Sequence, residues 1–137
     1  MSIIPIFFTF NDNYSPQCAV TILSLLSNKH KTVNYKLYVI SDDISENNKN
    51  KIMEIVNNFK DSSLKFIKGE NLIFFEYHQK LQNKKFGDTI LTKEALYRCY
   101  PDLITEFNKY DKIIYSDVDI VVKKDISELY EIGRAHV

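Results

Sequence analysis

The chain is poor in glycine, proline and cysteine, with three, three and two in 137 residues. Glycine and proline this scarce and this scattered leave no low-complexity stretch and no flexible linker, so the chain reads as one continuous domain. Cys18 and Cys99 stand far apart and outside any C-x-x-C pattern, which excludes a zinc knuckle and a redox pair and leaves two reduced core thiols. A charge of one sign is also missing. Eighteen basic side chains balance eighteen acidic ones, so the positive excess that nucleic acid requires is not there. No apolar run approaches bilayer length, and the opening Met1-Ser2-Ile3-Ile4-Pro5 lacks a basic region and a small-residue cleavage site. These features predict a cytoplasmic protein with no nucleic-acid partner and no membrane-spanning segment. Neither G-x-G-x-x-G nor a Walker loop occurs, so a phosphate ligand would need some other cradle.

The composition, 45% hydrophobic and 26% charged, suffices for a real core. Ile3 to Thr9 is an apolar run of strand formers. Asn11-Asp12-Asn13-Tyr14 follows as a loop, and Ser15-Pro16 supplies an N-cap and a proline for a helix whose apolar face is Ala19, Ile22, Leu23 and Leu26. Asn28 and Lys29 mark its exit. Val33 to Ile40 alternates as a second strand, and Asp42-Asp43 follows in a loop. Ser45 then caps a helix with Ile52, Ile55, Val56 and Phe59 on one face. Leu64 to Ile67 is a short third strand. This β-α-β-α-β order predicts an α/β fold with a mostly parallel sheet and flanking crossover helices. Residues 68–91 show no clean period. Thr92 is placed to cap a helix through Ala95, Leu96 and Cys99 that carries Arg98, and Ile126, Leu129 and Tyr130 suggest a last amphipathic turn.

Within the apolar, β-branched run Ile113 to Val122 stand two carboxylates, Asp117 and Asp119. In extended backbone, residues i and i+2 point to one side, so the two converge. Paired carboxylates repel and resist burial, and a hard divalent cation with oxygen ligands is the simplest compensation. The spacing therefore predicts a metal clamp at a strand end. In parallel α/β sheets ligands bind beyond the carboxyl ends of strands, and Asn11 to Tyr14, Asp42-Asp43 and Asp117 to Asp119 all occupy such ends. With no phosphate loop, a metal would bind the phosphates instead.

Tyr97-Arg98, Pro101-Asp102-Leu103-Ile104, Tyr110 to Val122 and Asp125-Ile126-Ser127-Glu128-Leu129 together resemble the central block of glycosyltransferase family 8. Phe8-Thr9-Phe10-Asn11-Asp12-Asn13-Tyr14, followed by a helix with Ser24-Leu25-Leu26, is similar to that family's first nucleotide-binding loop. The resemblance implies a Rossmann-like GT-A fold, a UDP-hexose donor, Mn²⁺ or Mg²⁺, and transfer to a glycan or lipid-linked acceptor with retention at the anomeric carbon. It further implies work in lipopolysaccharide or other surface-glycan synthesis, with peripheral association at the inner face of the membrane. Carried over by position, Asp117 and Asp119 hold the metal on the donor diphosphate and Val118 lies against the ribose. Thr9, Asn11, Asn13 and Tyr14 line the uridine pocket, with Tyr14 stacking on the base, and Arg98 reaches the donor. Position 11 is Asn where the family usually has Asp, which removes a charge and adds a donor.

Residues 131–137, Glu131-Ile132-Gly133-Arg134-Ala135-His136-Val137, look like a translated sequencing adapter, so residues 1–130 are expected to be the N-terminal, nucleotide-sugar-binding part of a longer enzyme truncated on its C-terminal side. On that expectation a further His ligand and the acceptor residues lie outside the chain, and the piece alone is inactive. Two alternatives come from other classes. Asp117-Val118-Asp119-Ile120-Val121 also fits the D-x-D-x-[T/V] of phosphohydrolases, and a non-catalytic nucleotide-sugar-binding fragment remains the other.

Overall fold

The computed structural model describes residues 1–69, 97, 98, 101 and 104–132. Strand β1 runs over Ser2–Thr9, helix α1 over Ser15–Ser27 and strand β2 over Val33–Ile40. They are followed by α2, Glu46–Asn57, and β3, Ser62–Ile67. Beyond the undescribed stretch lie β4, Ile114–Tyr115, and α3, Ser127–Ile132. The four strands form one sheet in the order β3-β2-β1-β4, every neighbouring pair parallel. The α/β class and parallel pairing expected from the sequence are therefore observed. The helix expected from Thr92, apart from Tyr97 and Arg98, lies outside the described residues, as do Cys99 and the segment 70–91.

β1 is central, which explains its continuous apolar run: six successive residues, Ile4 to Thr9, are buried because both faces of the strand are covered. On one face Ile4, Ile6 and Phe8 meet Tyr35, Leu37 and Val39 of β2 under Ile22, Leu25 and Leu26 of α1 and Ile52 and Val56 of α2. On the other, Phe7, Tyr38 and Ile40 pack with Tyr97, Ile104 and Phe107. Phe107 stands 5.4 Å from the Phe7 ring and edge-on, 5.1 Å, to Tyr38, an arrangement that aromatic quadrupoles favour. Truncating a core leucine such as Leu25 to Ala costs about 2–5 kcal/mol in such a setting.

Three local expectations change. Ser15 does not cap α1: it is itself helical, at φ −57° and ψ −42°. The cap lies upstream, where Asn11 starts a 3-10 turn, Asp12–Tyr14, that runs straight into the helix. The buried residues of α1 are Ser15, Cys18, Thr21, Ile22, Leu25 and Leu26, while Leu23 is 46% exposed. Apolar spacing alone placed Leu23 inside because it could not anticipate that a threonine takes the buried position at 21. Cys18 is a fully buried, free core thiol as expected, and burial pushes its pKa up. Finally, the run 113–122 is not one strand. β4 stops at Tyr115, and the chain bends at Val118 and Asp119. Ser116 makes the last ladder bond, its N–H donating to the Phe7 carbonyl at 3.1 Å, after which α1 side chains hold the backbone instead.

Candidate functional site

The chain moves from β1 outward to β2 and β3, then returns to the other side of β1 as β4. Strand order thus reverses between β1 and β4, and the crevice beyond their carboxyl ends is the standard ligand position of an open parallel sheet. A pocket of about 410 Å³ occupies it, lined by Thr9, Phe10, Asn11, Tyr14, Tyr115, Asp117, Val118 and Asp119. Six of the eight residues singled out from the sequence, drawn from both ends of the chain, therefore meet in one place.

Thr9 ends β1 in register with Ile40 and is nearly buried. The Asn11 side chain accepts the Asn13 N–H at 3.1 Å, which starts the 3-10 turn and directs the Tyr14 ring, 47% exposed, toward the pocket. Asp12 turns to α2 instead. Its Oδ1 accepts from Asn48 Nδ2 at 2.9 Å and from the Ser45 N–H at 3.0 Å, and these bonds hold its carboxyl below the usual carboxylate range. The loop is thereby fastened to the start of α2, where Ser45 caps the helix as expected. Asn13 does not line the pocket.

Asp117 and Asp119 lie beyond β4, both exposed, with buried Val118 between them. Extended-strand alternation does not bring them together, since the chain bends here; a turn past the strand end aims both into the pocket. The Tyr115 hydroxyl donates to Asp117 Oδ1 at 3.0 Å. Burial raises the Tyr115 pKa, as does its bond to Asp117, while the Arg98 guanidinium at the same hydroxyl opposes them. Arg98 thus acts on the same Tyr115 hydroxyl that bonds Asp117, but it does not itself line the pocket. Asp42, in the loop after β2, accepts from the Tyr97 hydroxyl at 2.6 Å, outside the pocket.

The donor set suits a hard cation. Two exposed carboxylates open to solvent match an ion such as Mg²⁺ or Mn²⁺, which keeps waters and substrate phosphates as its other ligands. Among the described residues no group of three His, Cys, Asp or Glu converges; Asp117 and Asp119 are the two carboxylates that line the pocket. Tyr115 and Phe10 also line the pocket, although neither stands out in the sequence as a site residue. The period-2 rule that pairs Asp117 with Asp119, applied one step back, points to Tyr115; for Phe10 its position at the end of β1 was the available signal.

A four-stranded parallel sheet with flanking helices and a switch-point crevice carrying paired carboxylates defines a protein of the GT-A-like fold. The chain belongs to glycosyl transferase family 8, whose model matches residues 5–137. It is 32% identical over 126 residues to General stress protein A of Bacillus subtilis, covering 91% of this chain and 41% of that protein. Among solved structures it resembles the WbbM bifunctional glycosyltransferase, at TM-score 0.74 and 23% identity over 96% of this chain and 21% of WbbM. It also resembles the galactosyltransferase LgtC in complex with donor and acceptor sugar analogues, at TM-score 0.63 and 18% identity over 95% of this chain and 43% of LgtC. The chain spans 41% of the length of its curated relative. The D-x-D block lies inside the family match, which leaves the phosphohydrolase alternative without support.

Proposed function

We propose that residues 1–130 are the donor-binding part of a retaining glycosyltransferase that moves a hexose from a UDP-sugar to a glycan or lipid-linked acceptor. The observation that carries this reading is the pocket itself: Thr9, Asn11 and Tyr14 after β1 face Asp117, Val118 and Asp119 after β4. Family membership and the LgtC complex with donor and acceptor analogues support it. We place the activity in surface-glycan synthesis, lipopolysaccharide included, in the cytoplasm at the inner face of the membrane. Among the described residues no helix is long and apolar enough to cross a membrane.

Each residue has a chemical part. The exposed Tyr14 ring offers a flat apolar face to uracil, Asn11 and Thr9 offer polar atoms to its edge, and buried Val118 lines the wall for the ribose. Asn13 acts through its backbone, which fixes Asn11. Asp117 and Asp119 would hold Mn²⁺ or Mg²⁺, which supplies neutralisation of the diphosphate leaving group. Tyr115 orients Asp117 by its hydrogen bond, and Arg98 adds a fixed, planar positive charge suited to phosphate or sugar oxygens. The test is transfer of labelled hexose from UDP-hexose by the whole protein. Asp117→Ala is expected to lower it at least about 100-fold, the upper range for disturbing a metal site; transfer unchanged by that substitution contradicts the reading.

A further inference from the structure

Residues 118–125 follow α1 without belonging to the sheet, and polar side chains of α1 hold their backbone. Thr21 is wholly buried, a cost that a threonine hydroxyl bears only when bonded. Its Oγ1 lies 2.7 Å from the Val118 carbonyl and 2.7 Å from the Ile120 carbonyl, so one proton is shared between the two. One turn on, the Ser24 hydroxyl donates to the Thr21 carbonyl at 2.8 Å and accepts the Val122 N–H at 2.9 Å. A further turn on, Asn28 Nδ2 donates to the Ser24 and Val122 carbonyls at 2.8 and 2.9 Å. Spaced i, i+3 and i+7, the three side chains share one helix face.

The carbonyls on either side of Asp119 therefore converge on a single atom, and Asp119 is the apex of the resulting bend. We propose that Thr21, continued by Ser24 and Asn28, is a positioning residue that sets the place of the Asp119 carboxylate in the pocket. Extended backbone, left to itself, would send the carbonyls of 118 and 120 along one ladder to a neighbouring strand; here the hydroxyl gathers them and the turn follows. The burial of a threonine beside Cys18, Ile22 and Leu25 is thereby explained: a valine of the same shape would fill the space but leave two carbonyls with no donor from α1.

This inference rests on the carboxylate reading above, and the experiment separates the two. Free Mn²⁺ is measured by electron paramagnetic resonance in the presence of UDP for the full chain and for Asp119→Ala, Thr21→Val, Thr21→Ser and Thr21→Val/Asp119→Ala, with thermal melting alongside. Thr21→Val is expected to weaken Mn²⁺ binding about tenfold, Thr21→Ser to restore it, and the double variant to be no weaker than Asp119→Ala alone, since a residue acting through Asp119 is not additive with it. Should Asp119→Ala lose binding while Thr21→Val keeps it, or the two losses multiply, the positioning role is overturned and the carboxylate site stands. Unchanged binding in Asp119→Ala overturns both. If Thr21→Val does not fold, Ser24→Ala serves. Faster amide exchange at Val122 with weaker Mn²⁺ binding supports the role, and exchange and binding both at wild-type level contradict it.

Discussion

Asp117 takes its orientation from Tyr115, two residues back, whose ring packs 5.2 Å from Phe7 and whose hydroxyl faces the pocket. Ring and hydroxyl have separable effects. Tyr115→Phe keeps the aromatic packing and removes one hydrogen bond, worth about 0.5–1.5 kcal/mol. Its expected outcome is a nearly unchanged melting temperature with UDP affinity in Mn²⁺ reduced about three- to tenfold, read by calorimetry. Full UDP affinity in the Phe variant, with loss only in Tyr115→Ala, would show that the ring alone matters. At this scale the sequence was legible where a residue's chemistry is unusual for its surroundings: paired carboxylates in an apolar run are conspicuous, and both reach the pocket. A tyrosine among nine is not conspicuous, and neither is a threonine whose burial depends on a partner 97 positions away.

Asp125 ties the start of α3 to the sheet. Its side chain is 2% exposed and accepts from the Tyr35 hydroxyl at 2.6 Å, the His30 N–H at 3.3 Å and the Ser127 N–H at 3.1 Å, with His30 Nε2 3.7 Å away. Burial alone would raise its pKa, but the bonds from Ser127, Tyr35 and His30 outweigh burial and hold it below the usual carboxylate value. A carboxylate with a depressed folded pKa contributes stability that is fully present above the unfolded value, about 4, and is lost as pH falls through the folded one. Asp125→Ala leaves the buried Tyr35 hydroxyl without this acceptor, a cost of about 1–3 kcal/mol. The expected result is a melting temperature lower by about 5–10 °C at pH 7, with the gap to the wild type narrowing in acid. A gap independent of pH would contradict the assigned role. Helices and central strands were legible here because the period of their apolar residues is long enough to read. β4 was not, because Ile120 and Val121 continue the β-branched run although they are 41% and 63% exposed, and α1 rather than a strand takes up the neighbouring backbone.

For the whole molecule, the strand order β3-β2-β1-β4 is what brings residues 9–14 and 117–119 together across about a hundred positions of sequence. The β-α-β-α-β order predicted a parallel sheet, but not on which side of β1 the late strand would enter. That position creates the crevice, and a metal-bridged diphosphate there would touch loops from both halves of the sheet. Binding of UDP should therefore protect the 9–14 and 117–122 amides together from hydrogen exchange; protection of one loop alone would argue against a shared pocket.

The most direct test of the central claim is a calorimetric titration of UDP into the chain with and without Mn²⁺, repeated for Asp117→Ala and Asp119→Ala. Binding at least about tenfold tighter with the metal, and metal dependence lost in both variants, is the predicted result. UDP affinity indifferent to Mn²⁺ in the wild-type chain would contradict the account.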